Sequence, residues 1–275
     1  MTLSVILPAH NEAGYIGPCL AALLASECPP MQVIVVANGC TDNTGDVARG
    51  FARQARDLGH TLSVIETPVG GKLNALTMGD GAATGDIRVY LDADVIVSPK
   101  VIAQIATALA TPMPRYASGA PKVARAQSAV TRAYARFWQT LPFITHGTPG
   151  FGLFAMNAPG RARWGDWPDI ISDDTFARLN FAPGERVRVS GSYEWPMVEG
   201  FANLVRVRRR QNQGVHEIGA KFPALLAHDD TPGVGLSGAV KRAVRDPVGF
   251  GVYAAVSLAV KTPLFRSKNR WARGR

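Results

Sequence analysis

Four short apolar runs, Leu3–Leu7, Met31–Val36, Leu62–Ile65 and Ile87–Leu91, recur about every 30 residues, and polar loops and helical patterning separate them. Parallel strands need crossovers of a dozen or more residues, usually helical, so this alternation confines the chain to an α/β fold with a mostly parallel, doubly wound sheet. Pro8 halts the first run, Asn38-Gly39 marks a tight turn after the second, and Gly70-Gly71 opens a helix after the third. Thr41 or Asp42 is placed to cap a helix running through Phe51, Ala52 and Ala55. Ligands of such sheets bind at the carboxyl ends of the strands. His10, Asn11, Glu12, Asn38, Asp42, Lys72, Asn74, Asp92 and Asp94 all fall at or just after those ends.

The fourth run carries the densest chemistry. In Val89-Tyr90-Leu91-Asp92-Ala93-Asp94-Val95-Ile96-Val97, two carboxylates spaced i, i+2 interrupt apolar residues. Residues two apart on an extended chain share a face, so Asp92 and Asp94 aim the same way. Such hard oxygen ligands suit Mg²⁺ or Mn²⁺, which hold phosphate oxygens and keep several waters. Aspartate is also a common turn residue, so a plain turn would explain the pair too. No G-x-x-x-x-G-K-[ST] loop is present, and no G-x-G-x-x-G turn follows a strand to cradle phosphate.

The order of four blocks, Pro8-Ala9-His10-Asn11-Glu12, Asn38-Gly39-Cys40-Thr41-Asp42, Gly71-Lys72-Leu73-Asn74-Ala75 and Asp92-Ala93-Asp94, resembles the N-terminal half of family 2 glycosyltransferases of the GT-A fold. The resemblance implies a Rossmann-like, mostly parallel central sheet flanked by helices, with a helical C-terminal extension. It divides the chain into a glycosyltransferase domain over 1–235 and an apolar helix with a basic tail over 236–275. Within the domain, 1–97 would be the nucleotide-sugar half and 98–235 the acceptor-binding and catalytic half. Pro8, Ala9, Asn11, Glu12, Asn38, Asp42, Lys72, Asn74, Asp92 and Ala93 would surround the donor. Asp94 and Asp92 would hold Mn²⁺ or Mg²⁺. The resemblance implies a nucleoside-diphosphate sugar as donor, a UDP-sugar favoured and a GDP-sugar the other choice. Many members carry Asp-Asp-Gly-Ser where this chain has Ala37-Asn38-Gly39-Cys40, and although an amide at 38 could hydrogen-bond a uracil, the departure weakens the case for that base.

Beyond Thr111 the pattern changes, with Pro112, Pro114, Pro121 and Pro142 around a helix near Gln127 to Trp138. Gly150-Phe151-Gly152 then opens a strand. By resemblance it borders the pocket for a hydroxyl acceptor, although a plain turn before a core strand would read the same. In Ser172-Asp173-Asp174, serine is a good N-cap and acids favour a first helical turn. The pair also resembles the family's acidic pair, one member of which takes the proton from the acceptor hydroxyl. Two adjacent carboxyls raise one pKa by repulsion, as a base needs. Asp174 is the preferred base and Asp173 the other choice. Arg206 to Gly214 lies where processive members carry Gln-x-x-Arg-Trp, which is absent here. Arg209 or Arg210 could still neutralise a leaving diphosphate. His216 stands where some GT-A enzymes supply a further metal ligand, and otherwise reads as a solvated histidine.

A chain of 275 residues, 47% hydrophobic, can bury a sizeable core. Its net charge of +9 is concentrated at Arg206–Arg210 and at Lys261, Arg266, Lys268, Arg270, Arg273 and Arg275. Basic patches attract phosphate, and no nucleic-acid-binding motif accompanies these. Val248–Val260 is too short to span a bilayer, which needs about 20 residues. It would lie on an anionic membrane surface or pack on the core with a basic tail behind it. Cys19, Cys28 and Cys40 are odd in number and lack zinc spacing. Nothing at the start resembles a signal peptide, so a cytoplasmic protein is expected, peripheral at most to the inner face of the membrane. The reading is an inverting sugar transfer from a nucleoside-diphosphate sugar to a hydroxyl, in polysaccharide, glycolipid or cell-envelope synthesis. A sugar-phosphate nucleotidyltransferase is the rival enzyme, but it would show a glycine-rich N-terminal loop. A non-catalytic nucleotide- or membrane-surface-binding protein is the rival from another class.

Overall fold

The computed structural model describes residues 2–263 and 265. In chain order its elements are β1 (Leu3–Ala9), α1 (Ile16–Leu24), β2 (Met31–Asn38), α2 (Thr44–Arg49), α3 (Ala52–Asp57), β3 (Thr61–Thr67), α4 (Lys72–Ala82) and β4 (Ile87–Leu91). Then follow β5 (Ile96–Val97), α5 (Val101–Leu109), β6 (Tyr116–Val123), α6 (Ala129–Trp138), α7 (Pro142–Thr145), β7 (Leu153–Asn157), α8 (Ala158–Arg161) and α9 (Asp173–Leu179). The chain ends in β8 (Arg186–Trp195), α10 (Phe201–Lys221), α11 (Leu236–Arg245) and α12 (Pro247–Val260). Two compact units are formed: residues 1–122, 150–169 and 180–195 make one, and 123–149, 170–179 and 196–275 the other.

The first unit holds the sheet, in the order β3-β2-β1-β4-β7-β6-β8-β5. As the sequence pattern requires, β3, β2, β1 and β4 run parallel, with Val5 opposite both Val33 and Val89. The chain moves outward from β1 to β2 and β3, then returns to place β4 on the other side of β1. Order reverses between β1 and β4, so their carboxyl ends frame the crevice where such sheets take ligands. Beyond β4 the sheet turns antiparallel, β7 pairing with β4 and β6 with β7.

Alternation explains the core. Leu3, Val5, Leu7, Val33, Val35, Val89 and Leu91 face one way and bury against Cys19, Leu20 and Leu23 of α1 and Ile102 and Ile105 of α5. Ile6, Ile34, Val36 and Tyr90 face the other way and are equally buried, on the side where α4 packs against β1 and β2. Strands buried on both faces read as continuous apolar runs, which is why these were visible in the sequence.

One polar cluster fastens that second face. Asp80 of α4 accepts hydrogen bonds from the Tyr90 hydroxyl (2.6 Å), the Trp167 indole N–H (2.8 Å) and the Arg161 guanidinium (2.9 and 3.0 Å). Burial, then the neighbouring Asp80 charge, pushes the Tyr90 phenol well above its usual pKa. The Asp80 and Arg161 side chains are only 12% and 16% exposed, so the ion pair is largely out of water. Removing one partner of a buried pair leaves an uncompensated charge. Asp80→Ala is expected to destabilise the protein by about 3 kcal/mol or more in urea unfolding; an unchanged midpoint would show that the cluster does not hold α4 to the sheet.

The second unit is helical. In it, α12 packs against α6 and α10, with Tyr253 stacked on Tyr134 and Phe250 edge-on to Phe137. Gly249, Val256 and Ala259 of the apolar stretch 248–260 are buried in this packing, while Val248 and Leu258 stay 63% and 65% exposed. The side chain of Asp246 caps α12 through Gly249 N–H and pairs with Arg136. The basic residues Arg266, Lys268, Arg270, Arg273 and Arg275 lie outside the described residues.

Candidate active site

At the carboxyl end of β1, Asn11 adopts a left-handed conformation with φ of 53°, which asparagine tolerates better than most residues. Its side-chain oxygen accepts the backbone N–H of Thr41 (2.7 Å) and of Asp42 (3.3 Å), so it organises the turn after β2. Asp42 in turn accepts the N–H and hydroxyl of Thr44 and the N–H of Ala13. Partial desolvation opposes this, yet those hydrogen bonds hold the Asp42 carboxyl below its ordinary pKa. The Glu12 N–H donates to the Thr44 hydroxyl (2.8 Å), closing the same loop pair.

Asn38 has a different place from the one its motif implied. Its side chain is 3% exposed, donates to Ala9 O (2.8 Å) and Val36 O (3.3 Å), and accepts the Gly71 N–H (2.9 Å). The His10 ring donates through Nδ1 to Asn38 O at 2.6 Å. Its amide is committed to three backbone segments, which gives Asn38 a bracing role.

Asp92 and Asp94 leave β4 together. Leu91, Ala93 and Val95 are buried while Asp92 and Asp94 are half-exposed, so the alternation of burial continues through the turn that the Val95 N–H closes on Asp92 O (3.1 Å). Two fastenings fix the corner. The Asp92 N–H donates to Gly152 O (2.9 Å), extending the β4–β7 ladder by one step, and on the far side Ile96 and Val97 pair with Glu194 and Tyr193 of β8. Lys72, the first residue of α4, sets its ammonium 2.8 Å from Asp92 Oδ1. Ala93 lies buried between the carboxylates, and Pro8 and Ala9 end β1. Asn74 is exposed on α4 and reaches toward Met78.

The Gly150-Phe151-Gly152 loop belongs to this corner. Gly152 has φ of 75°, and a Cβ there would stand 2.8 Å from the Trp195 ring and 2.9 Å from Val95, so only glycine fits. Phe151 is buried edge-on to Trp195 with ring centres 5.1 Å apart, and its carbonyl accepts the Tyr193 hydroxyl (2.7 Å). Trp195 and Tyr193 were not singled out in the sequence; an aromatic pair on a strand reads as ordinary core.

The donor set fits a divalent cation of the Mg²⁺ or Mn²⁺ kind. Two half-exposed hard carboxylates two residues apart at a fixed turn would leave room for waters and phosphate oxygens to complete the shell. Among the described residues no group of three or more His, Cys, Asp or Glu side chains gathers to hold a metal.

In the second unit, Asp173 and Asp174 open α9, as the N-terminal signals anticipated. Asp173 is buried, and Asp174 is half-exposed and accepts the Thr175 N–H (2.7 Å). The preceding segment is clamped by α10: Glu217 accepts the Ile171 N–H (2.9 Å), and a Cβ at Gly214 would strike Ser172. Gly214 and Glu217 were missed because they sit inside an arginine-rich stretch that reads as a solvated face. Arg209 is bound elsewhere than expected: its guanidinium donates to the carbonyls of Ala259, Val260 and Thr262 at the end of α12. Cations favour helix C-termini, so this contact fastens the end of α12. Arg210 is half-buried and His216 exposed, both on α10.

The glycosyl transferase family 2 profile matches residues 4–163, more than half of the chain. An uncharacterized glycosyltransferase of Nostoc is 32% identical over 105 residues, which are 38% of this chain and 32% of that protein. The chain thus spans about a third of the length of the curated relatives it matches. Among solved structures, a mannosyltransferase from Pyrobaculum calidifontis in complex with GDP-mannose and Mn²⁺ has a TM-score of 0.59 at 22% identity, covering 94% of this chain and 75% of that one. S. aureus TarS 1–349 in complex with UDP has a TM-score of 0.54 at 13% identity, covering 95% and 91%. These likenesses show a shared fold of the GT-A type. The chain belongs to glycosyl transferase family 2.

Asn38→Leu keeps the volume of the side chain and removes its hydrogen bonds. Orphaning buried backbone groups costs about 1–3 kcal/mol each, so its urea midpoint should fall clearly below that of the wild type. A variant of unchanged stability would contradict the bracing role.

Proposed function

We propose that this enzyme transfers a sugar from a nucleoside diphosphate to an acceptor hydroxyl with inversion, in the making of a polysaccharide or cell-envelope glycoconjugate. The observation that carries the reading is the pair Asp92 and Asp94, presented together beside the β1 loop at the reversal of strand order. Asp92 and Asp94 would hold Mn²⁺ or Mg²⁺, which when bound neutralises the diphosphate and eases its departure. Lys72 adds a fixed positive charge at the same corner. Asn11, Glu12 and Asp42 form the nucleotide side, on loops that Asn38 braces. The GDP-mannose and UDP complexes of the two structural neighbours favour a nucleotide-sugar donor without choosing its base.

Asp174 takes the acceptor proton. As the acceptor oxygen bonds to the anomeric carbon, the O–H proton passes to the carboxylate, and the bond from that carbon to the diphosphate breaks with its electrons leaving on the diphosphate. Asp92 and Asp94 are poor candidates for this step, because a bound cation keeps their lone pairs engaged. Asp173 is more buried than Asp174, so a carboxylate that must meet a substrate hydroxyl is better placed at 174. Gly150, Phe151 and Gly152 stay with the acceptor side in this reading. No helix among the described residues is long and apolar enough to cross a membrane, and the excess of positive charge suits an enzyme that visits an anionic membrane face.

Hydrolysis of a panel of UDP-, GDP- and dTDP-sugars with Mn²⁺ should single out one nucleotide, and excess chelator should abolish the activity. Full activity in chelator would refute the metal-dependent reading. Asp174→Asn should bind donor almost normally and transfer sugar about 10²–10⁴-fold more slowly. If Asp173→Asn is the variant that loses transfer, the base is Asp173; if both keep it, the acids only start α9.

A further inference from the structure

Helix α11 is turned the wrong way for a helix that exists to cover a core. Leu236, Val240 and Val244 recur every four residues and so share one face, yet they are 84%, 54% and 78% exposed. Val248, in the first turn of α12, is 63% exposed. Meanwhile Arg242 turns inward, its Nε donating to Thr140 O (3.0 Å). None of the residues of α11 is buried. Water gains nothing from an aliphatic stripe of this kind, and a soluble surface rarely aligns four such side chains along one ridge.

The charges on and around the stripe say what covers it. Lys241 and Arg245 are exposed on α11, Lys261 is exposed after α12, and α11 carries no acidic side chain. The nearest carboxylate in sequence, Asp246, is already paired with Arg136 and caps α12. An aliphatic face bordered by unopposed cations matches an anionic lipid surface, where the apolar side chains enter the acyl boundary and the cations meet phosphate. A protein partner with an apolar groove would not call for the one-sided charge. The sequence adds five more basic residues from 266 to 275.

We infer that α11, with Val248 beside it, is a membrane-docking ridge that holds the enzyme on an anionic lipid bilayer. The inference rests on the reading of a peripheral membrane enzyme and narrows it to one helix. It centres the contact on α11 and the first turn of α12, a helix that otherwise packs on α6 and α10. Docking there would present the transferase to acceptors carried on lipid.

The test is co-sedimentation of the full chain with phosphatidylcholine vesicles, with and without phosphatidylglycerol. Wild type should bind the anionic vesicles, and salt should weaken binding. The double variant Val240→Glu, Val244→Glu should bind at least about tenfold more weakly, while its circular dichroism and donor hydrolysis stay as in wild type. In Val244→Trp the indole emission should shift to the blue on anionic vesicles, a readout that does not depend on the double variant folding. Wild-type binding that the double variant fully retains, with no blue shift at 244, would overturn α11 as the docking surface and leave peripheral binding intact. No wild-type binding at low salt would overturn both. Dimerisation that the double variant abolishes, without vesicle binding, would assign the ridge to a second copy of the chain and also overturn the proposal.

Discussion

The carboxyl edge of the sheet depends on one buried amide. Backbone groups at strand ends lose their ladder partners just where a ligand site must open, and leaving them dry and unpaired is costly. Asn38 answers this for three segments at once, donating to the end of β1 and to its own strand while receiving the N–H of Gly71. Gly71 immediately precedes Lys72, whose ammonium meets Asp92. A single side chain therefore couples the loop after β1, the loop after β2 and the start of α4, and through Lys72 it reaches the carboxylate corner.

From that edge the site is built of fixed parts. The corner at Asp92 and Asp94 is fastened on one side by Gly152 and β7 and on the other by β5 and β8. A cation site needs carboxylates held in advance, since any freedom they have must be lost on binding. The glycine-aromatic loop fixes the backbone of Asp92 directly: Gly152 is forced by Trp195 and Val95, and its carbonyl is what the Asp92 N–H binds. The second acidic pair is held by different means, at the start of α9 and clamped through Glu217 of α10.

Much of this was legible in the sequence, for identifiable reasons. β1, β2 and β4 bury both faces and so show as nearly continuous apolar runs, and the i, i+2 spacing of Asp92 and Asp94 survives as true alternation of burial. Ser172 and the acids after it mark the start of α9 because capping is a local effect. What was not legible depends on distant partners. Arg209 looks like any surface arginine until α12 supplies three carbonyls for it. Gly214 is an unremarkable helix residue until Ser172 is found against it. The Asp80 cluster joins residues from four segments, and the antiparallel extension through β6, β8 and β5 rests on pairings that no short pattern encodes.

The central claim is that the fixed corner at Asp92 and Asp94 takes a divalent cation together with a diphosphate. Electron paramagnetic resonance of Mn²⁺ titrated into the protein, with and without GDP or UDP, reads this directly, because bound Mn²⁺ loses its free-ion signal. The account predicts that one of the two nucleotides tightens Mn²⁺ binding to wild type and that Asp94→Asn, folded as wild type, loses that nucleotide-dependent binding. Nucleotide-dependent Mn²⁺ binding that survives unchanged in Asp94→Asn would contradict it.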